Sequence, residues 1–242
     1  MRKALVVGGS NGIGLAIALH LSEQYEVTVV DKAAPDAAWA DRFRFEQFDL
    51  TNEDFSIFDR YLDVDLLMIT AGFGRLALFR DIEEDLIPTY FEVNTIPVMR
   101  IVKRFYPRLL GADDFYCGVM GSIAGFMSTP FFSVYSATKA ALKVFIESVN
   151  VELEKAGSKN CILNVSPGSI KGTHFNGGLT NDTDGTLPLA REIVDHLLAK
   201  DDLFIPHYDD VFREVLERYH QDFRAEGRHS YDYKIQSGRA KA

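Results

Sequence analysis

Short apolar runs without alternation recur along this chain, and they constrain the fold more than any other feature. The runs are Ala4–Val7, Val27–Val30, Leu66–Thr70, Tyr116–Met120, Ile162–Val165 and Leu203–Ile205, with a more polar one at Phe43–Phe48. A strand with one wet face alternates polar and apolar residues. A strand covered on both faces does not, so these runs predict a parallel sheet buried between layers. Helix-period stretches lie between them. Gly12–Glu23 carries apolar Ile13, Ala16, Ile17 and Leu21, and Tyr135–Leu153 carries Leu142, Phe145, Ile146, Val149 and Leu153. Leu187–Lys200 and Val211–Phe223 predict two further helices. Strand and helix in alternation build βαβ units, and hence one doubly wound α/β domain, three layers deep, spanning residues 1–242.

Composition bears on what such a domain can bind. The 242 residues carry 35 acidic against 26 basic side chains, a formal charge of -9. That balance speaks against a nucleic-acid partner and against a basic membrane-surface protein. The charge is uneven, because from about residue 222 Arg224, Arg228, Lys234, Arg239 and Lys241 face only Asp222, Glu226 and Asp232, making a basic tail. No run reaches the roughly 18 apolar residues of a membrane span. The apolar start Ala4–Val7 breaks at Gly8-Gly9, so no signal peptide is expected, and a cytoplasmic location is. Cys117 and Cys161 lie in apolar runs and read as small buried residues of a reduced protein. The six histidines are scattered, with no pair at i, i+3 or i, i+4, so no metal site is predicted. Thr173–Thr186 is long, turn-rich and aperiodic, and predicts a mobile lid with Gly177-Gly178, Asn181 and Gly185 as joints.

Three local patterns carry chemistry. The first strand runs into Gly8-Gly9-Ser10-Asn11-Gly12-Ile13-Gly14 and then a helix. Glycine permits the tight turn and the close approach of a ligand, and a helix N-terminus offers N–H groups to a pyrophosphate. The second pattern is Asp31, at the end of the second strand, where a carboxylate accepts from ribose hydroxyls and repels a 2′-phosphate; an N-cap before Ala33 is its structural alternative. Asp49-Leu50 ends the third strand, facing adenine or simply forming a turn. The third pattern puts Tyr135 and Lys139 one helical turn apart, with Ser122 thirteen residues upstream at a strand end and Asn94 in the preceding helix. An ammonium beside a phenol lowers its pKa towards the working range, and a serine hydroxyl can hold a substrate oxygen beside it. Pro97 cannot donate to the carbonyl of Val93, so a kink beside Asn94 is expected.

Taken in order, these residues resemble the short-chain dehydrogenase/reductase family, in its single-domain form, over roughly residues 3–206. Its glycine motif matches Gly8, Gly12 and Gly14, and its catalytic quartet falls on Asn94, Ser122, Tyr135 and Lys139. Its Asn-Asn-Ala-Gly segment falls on Ile69-Thr70-Ala71-Gly72, and its Pro-Gly turn on Pro167-Gly168 with Ile170 following. The departures are Val7 for the usual threonine, Ile69-Thr70 for two asparagines, and Thr173 one place later than the family's nicotinamide-binding threonine. The resemblance implies a Rossmann fold and an NAD(P)-dependent oxidoreductase that interconverts a small-molecule secondary alcohol and a ketone. It also implies that Lys139 binds the nicotinamide ribose, that Asn94 relays protons through water, and that residues 87–110 and 135–153 form a homodimer or homotetramer. Asp31 points to NAD(H) over NADP(H), with Lys32 as a competing cation. The alternatives are a dinucleotide-binding sensor or scaffold without catalysis, and a ketoacyl reductase. Phe73, Phe126, Met127, Phe131, Phe132 and Phe175 either wall an apolar pocket or serve ordinary packing or a subunit contact.

Overall fold

The computed structural model describes residues 1–170, 173, 175 and 182–240. Seven parallel strands make one sheet: β1 (Arg2–Val7), β2 (Tyr25–Asp31), β3 (Arg44–Gln47), β4 (Leu66–Ile69), β5 (Tyr116–Met120), β6 (Ile162–Val165) and β7 (Leu203–Phe204). Their spatial order is β3-β2-β1-β4-β5-β6-β7. All seven expected runs are strands: β1 and β2 extend beyond them by up to two residues at an end, β5 and β6 match them, β4 and β7 are shorter by one residue, and β3 by one at each end. The absence of alternation has the anticipated cause, since Ala4–Val7, Leu66–Ile69 and Ile162–Val165 are buried throughout.

Helices cover both faces. On one side α1 (Gly12–Leu21) packs against α5 (Thr183–Ala199), over a core that includes Val6, Leu15, Ile17, Val29, Met68, Leu163 and Ile193. On the other, α3 (Ile96–Leu110) and α4 (Ser133–Lys155) cover Leu5, Val7, Leu67, Val119, Phe105, Leu142 and Ile146. Each such fully buried side chain contributes about 1.5–3 kcal/mol relative to exposure. The chain before α3 forms a separate helix α2 (Leu86–Asn94), because Thr95 leaves helical geometry at φ -126, ψ -60 and Pro97 sits in the first turn of α3. The expected kink is thus a full break, placed directly after Asn94.

Two expectations need correction, and the basic tail, for which the sequence set no structure, proves helical. The span given to the lid ends in helix: Thr183–Thr186 form the first turn of α5, whose N-cap Asp182 accepts from the Gly185 N–H at 2.9 Å. Most of the remaining span lies outside the described residues. The helix placed at Val211–Phe223 starts as a π-turn (Tyr208–Phe212) and continues as α6 (Arg213–Gln221). The basic tail is helical, forming α7 (Phe223–Gln236), with Asp222 accepting from the N–H groups of Arg224 and Ala225. Its apolar residues make no stripe, and Glu226 and Lys234 are among its buried side chains, so periodicity alone did not reveal it.

Candidate active site

Strand order reverses between β1 and β4, since β1 pairs with β2 on one side and β4 on the other. In an open α/β sheet the crevice at such a switch point, at the carboxyl ends of the strands, is where ligands bind. The chain places all three chemical patterns at that edge. The glycine turn follows β1, Asp31 ends β2, and Ser122 follows β5.

The glycine turn is built for close approach. Gly8 has φ +86, and a side chain on Gly14 would collide with the Gly8 carbonyl and the Thr70 hydroxyl. Thr70 Oγ1 donates to the carbonyls of Val7 (3.1 Å) and Gly8 (2.9 Å). One hydroxyl thereby fastens the end of β4 to the start of the turn, and this is the polar bracing that remains with valine at position 7 and isoleucine at 69. Ala71 N–H adds a bond to the Val7 carbonyl at 3.1 Å. Asn11 at the N-cap of α1 makes no side-chain capping bond, and Ser10 Oγ is buried with no partner among the described residues. Gly12 lies beside Ile13, which packs on the core under the turn.

Asp31 is held at the rim of this turn. Its carboxylate accepts from Ser10 N–H at 3.1 Å, which fixes it beside the turn, and from Ala33 N–H at 3.3 Å. No helix starts at Ala33, since the next helical turn begins at Ala37 with Asp36 as its cap, so the N-cap alternative fails. Asp49 instead closes its own turn, accepting from the backbone and hydroxyl of Thr51, both at 2.9 Å. The Thr51 N–H, with a weaker pull from the charge of Lys32, holds its carboxyl below the usual range. Leu50 packs into the core beneath.

The Ser122, Tyr135, Lys139 and Asn94 side chains are all buried and gathered at one place. Ser122 Oγ accepts from Ala124 N–H at 3.1 Å and reaches the Pro167 carbonyl at 3.5 Å, which ties the Pro-Gly turn to the serine. Lys139 Nζ donates to the Met120 carbonyl at 2.8 Å and lies 5.7 Å from the centre of the Tyr135 ring. The amide of Asn94 brackets the Phe73 peptide: Oδ1 accepts from its N–H and Nδ2 donates to its carbonyl, both at 2.9 Å. Nδ2 also reaches Thr138 Oγ1 at 3.3 Å. A β-carbon on Gly72 would lie 3.2 Å from Asn94 Oδ1 and 3.5 Å from Lys139 Nζ, so the Ala71-Gly72 segment runs between the amide and the ammonium.

The electrostatics differ from the expectation of a depressed phenol. Burial pushes the Tyr135 hydroxyl up to about 12, against a hydrogen bond from Ser122 that favours ionisation. Burial also pushes Lys139 down to about 8. Desolvation penalises either charge, and it is the leading cause for both groups. Tyr135 therefore holds its proton at neutral pH.

Aromatic side chains surround the phenol. Phe175 meets the Tyr135 ring edge-on at 5.0 Å, Phe132 lies 5.7 Å away, and Phe73 stacks on Tyr90 at 4.6 Å. Phe126 and Met127 pack instead beside Ile123, Ile205 and Leu216, and Phe131 stacks on Tyr231. Ile170 and Thr173 are bonded to each other, Thr173 Oγ1 to the Ile170 carbonyl at 3.2 Å, and Thr173 lies against Gly12, 3.5 Å from where its β-carbon would be. Thr173 is thus at the glycine turn, and Gly168 lies under the ring of Phe212. The tyrosine–lysine pair and the glycine turn were legible in the sequence; Thr70 stood there only as a departure from the family pattern and Thr138 was missed, because their bonds are made across distant segments.

Comparison with known proteins follows the same lines. Residues 2–184 match the short chain dehydrogenase family. The uncharacterized oxidoreductase YusZ of Bacillus subtilis is 25% identical over 193 residues, covering 74% of this chain and 68% of the relative. Human 17-beta-hydroxysteroid dehydrogenase type 1 is 28% identical over 158 residues, covering 64% of this chain, and the match spans only 45% of the human protein's length. A short chain dehydrogenase/reductase from Burkholderia phymatum, solved in complex with NAD, superposes with a TM-score of 0.79 at 18% identity, covering 93% of this chain and 95% of that one. Neighbours of this fold solved with NADP are also found. Among the described residues no helix is long and apolar enough to cross a membrane. A match over three quarters of the chain, on a sheet of this order, makes the protein a member of the short chain dehydrogenase family of oxidoreductases.

Proposed function

We propose that this chain interconverts an apolar secondary alcohol and the corresponding ketone, using a nicotinamide dinucleotide with NAD(H) preferred. The observation that carries the reading is the convergence of Ser122, Tyr135 and Lys139 beside a glycine turn at the switch point of the sheet. The residues present fit a dinucleotide. The buried, unpartnered Ser10 hydroxyl and the α1 N-terminus without a side-chain cap suit a pyrophosphate, and Asp31 suits a ribose diol. When bound, the dinucleotide supplies or accepts the hydride.

The chain's own residues manage the proton and the substrate oxygen. Ser122 Oγ, held by the Ala124 N–H, orients the oxygen of the substrate. Tyr135, kept protonated by burial, gives its hydroxyl proton to that oxygen in the reductive direction. The Lys139 ammonium, anchored on the Met120 carbonyl, stabilises the phenolate left behind. Asn94 holds the Phe73 peptide at the rim rather than leaving its amide free for a relay. The aromatic walls of Phe73, Tyr90, Phe132 and Phe175 favour a substrate whose carbonyl is flanked by apolar groups. Exposed Ile96 and Leu110 on α3, with Val144 and Val151 on α4, support assembly into a homodimer or homotetramer through those helices.

The test is turnover of a panel of apolar ketones with each reduced dinucleotide, followed by nicotinamide absorbance, for wild type and Tyr135→Phe. Removing a general acid lowers turnover by about 10²–10⁴-fold. The variant should lose at least about a hundredfold and still bind the dinucleotide; turnover within a few-fold of wild type would remove Tyr135 from the reaction.

A further inference from the structure

Beyond Ile205 the chain packs on the connector between Ser122 and Tyr135, with Phe212 also against Gly168. Leu216 of α6 joins Ile205 and Ile123, with Phe126, Met127 and Phe212 around them. α7 approaches the same connector so closely that a β-carbon on Gly227 would lie 3.1 Å from Ser128 Oγ. Its Tyr231 stacks on Phe131, ring centres 4.8 Å apart and planes at 27°.

Phe131 is the unusual residue of this connector. Its backbone has φ 70, in the left-handed region that bulky side chains avoid. It is nevertheless 3% exposed, and its carbonyl accepts from Ala77 N–H at 2.9 Å, in the segment after β4. The next residue, Phe132, starts α4: its N–H donates to Thr129 and its carbonyl accepts from Ser136 N–H at 2.7 Å. Its ring stands 5.7 Å from Tyr135. A strained conformation persists only where its surroundings over-determine it. Here the surroundings on one side are the helix carrying Tyr231. α7 itself is anchored, because Glu226 is buried and bonded to Arg218 of α6 through both carboxylate oxygens, at 2.8 and 3.3 Å.

We propose that Tyr231 is a positioning residue for the substrate side of the site: its ring holds Phe131 in the left-handed conformation and so sets Phe132 and the first turn of α4 against the reacting groups. The inference rests on the reading of Tyr135 as the proton donor. It gives the basic tail a role at the site of its own chain, and it makes ketone binding depend on a residue that touches neither ketone nor dinucleotide.

The experiment pairs kinetics with amide exchange in Tyr231→Ala, Tyr231→Leu and Tyr231→Phe. Losing the stack should raise KM for the ketone by about tenfold or more in Tyr231→Ala, with the dinucleotide dissociation constant unchanged. Exchange at the Ala77 and Phe132 amides should quicken, and Tyr231→Phe, which keeps the stacking ring, should restore both properties. Tyr231→Leu keeps bulk without a stacking face and should resemble the alanine variant; it serves if Tyr231→Ala does not fold. Ketone KM within about twofold of wild type in both non-aromatic variants would overturn the proposal, as would parallel loss of ketone and dinucleotide binding. If wild type reduces no ketone, the reading of Tyr135 as proton donor to a ketone fails. The positioning claim is then judged by exchange alone, and unchanged protection at Ala77 and Phe132 refutes it.

Discussion

Replacing Asn94 by alanine separates two roles open to its side chain, a structural bracket and a proton relay. In this structure its amide is used at both ends by the Phe73 peptide, with bonds of 2.9 Å to the N–H and to the carbonyl, and Asn94 itself is 0% exposed. Removing it leaves two backbone groups unpaired, each costing about 1–3 kcal/mol when buried. The Phe73 peptide is half-buried, so water can reach part of it and the low end of that range applies to each group. The loss of stability should be about 2–3 kcal/mol, which in a domain of this size lowers Tm by roughly 5–10 °C. Thr138→Val is the control, because it removes only the longer 3.3 Å acceptor and the local bond of the hydroxyl to the Tyr135 carbonyl; it should cost about 1 kcal/mol or less. Urea unfolding followed by circular dichroism measures both. An Asn94→Ala protein within about 0.5 kcal/mol of wild type that has nevertheless lost turnover would show that the bracket is dispensable, and would return Asn94 to a proton relay.

Asp31→Ala should narrow a preference for NADH over NADPH that we expect to be at least about tenfold in kcat/KM. The carboxylate is fixed by Ser10 and Ala33 beside the glycine turn, and the charge of Lys32 acts partly on Asp49. A wild-type enzyme that favours NADPH contradicts this reading of Asp31. Ketone reduction should also fall as pH rises through about 8. Burial depresses Lys139 to about that value, so its charge is present below it and lost above it, along with its support for the Tyr135 phenolate. A kcat/KM profile level up to about pH 10 would show that the charge is not used. Thr70→Val should weaken dinucleotide binding by several-fold, since it removes the one hydroxyl joining β4 to the Gly8 carbonyl; an unchanged dissociation constant in a titration of the reduced dinucleotide would show that the backbone bonds of Ala71 suffice.

What the sequence by itself determined follows from short-range physics. Strands covered on both faces lose alternation, so Ala4–Val7 and Leu66–Ile69 announced a buried parallel sheet, and Gly8–Gly14 announced a turn into a helix. Tyr135 and Lys139 had to share a helical face because four residues make about one turn. The break at Thr95 was foreshadowed by Pro97, whose missing N–H is a local property of the chain. Tertiary structure alone decided the rest. Thr70 braces the glycine turn through a contact 62 residues apart in sequence, and Asn94 closes on Phe73 across 21. The phenol of Tyr135 is raised rather than lowered because desolvation depends on everything packed around it, which spacing to Lys139 does not encode. Likewise α7 carries no apolar stripe, and its Tyr231 meets Phe131, 100 residues upstream, on a helix tied to α6 by the Glu226–Arg218 pair. Such contacts have no period to read, because they are made by distant segments meeting only once the sheet has formed.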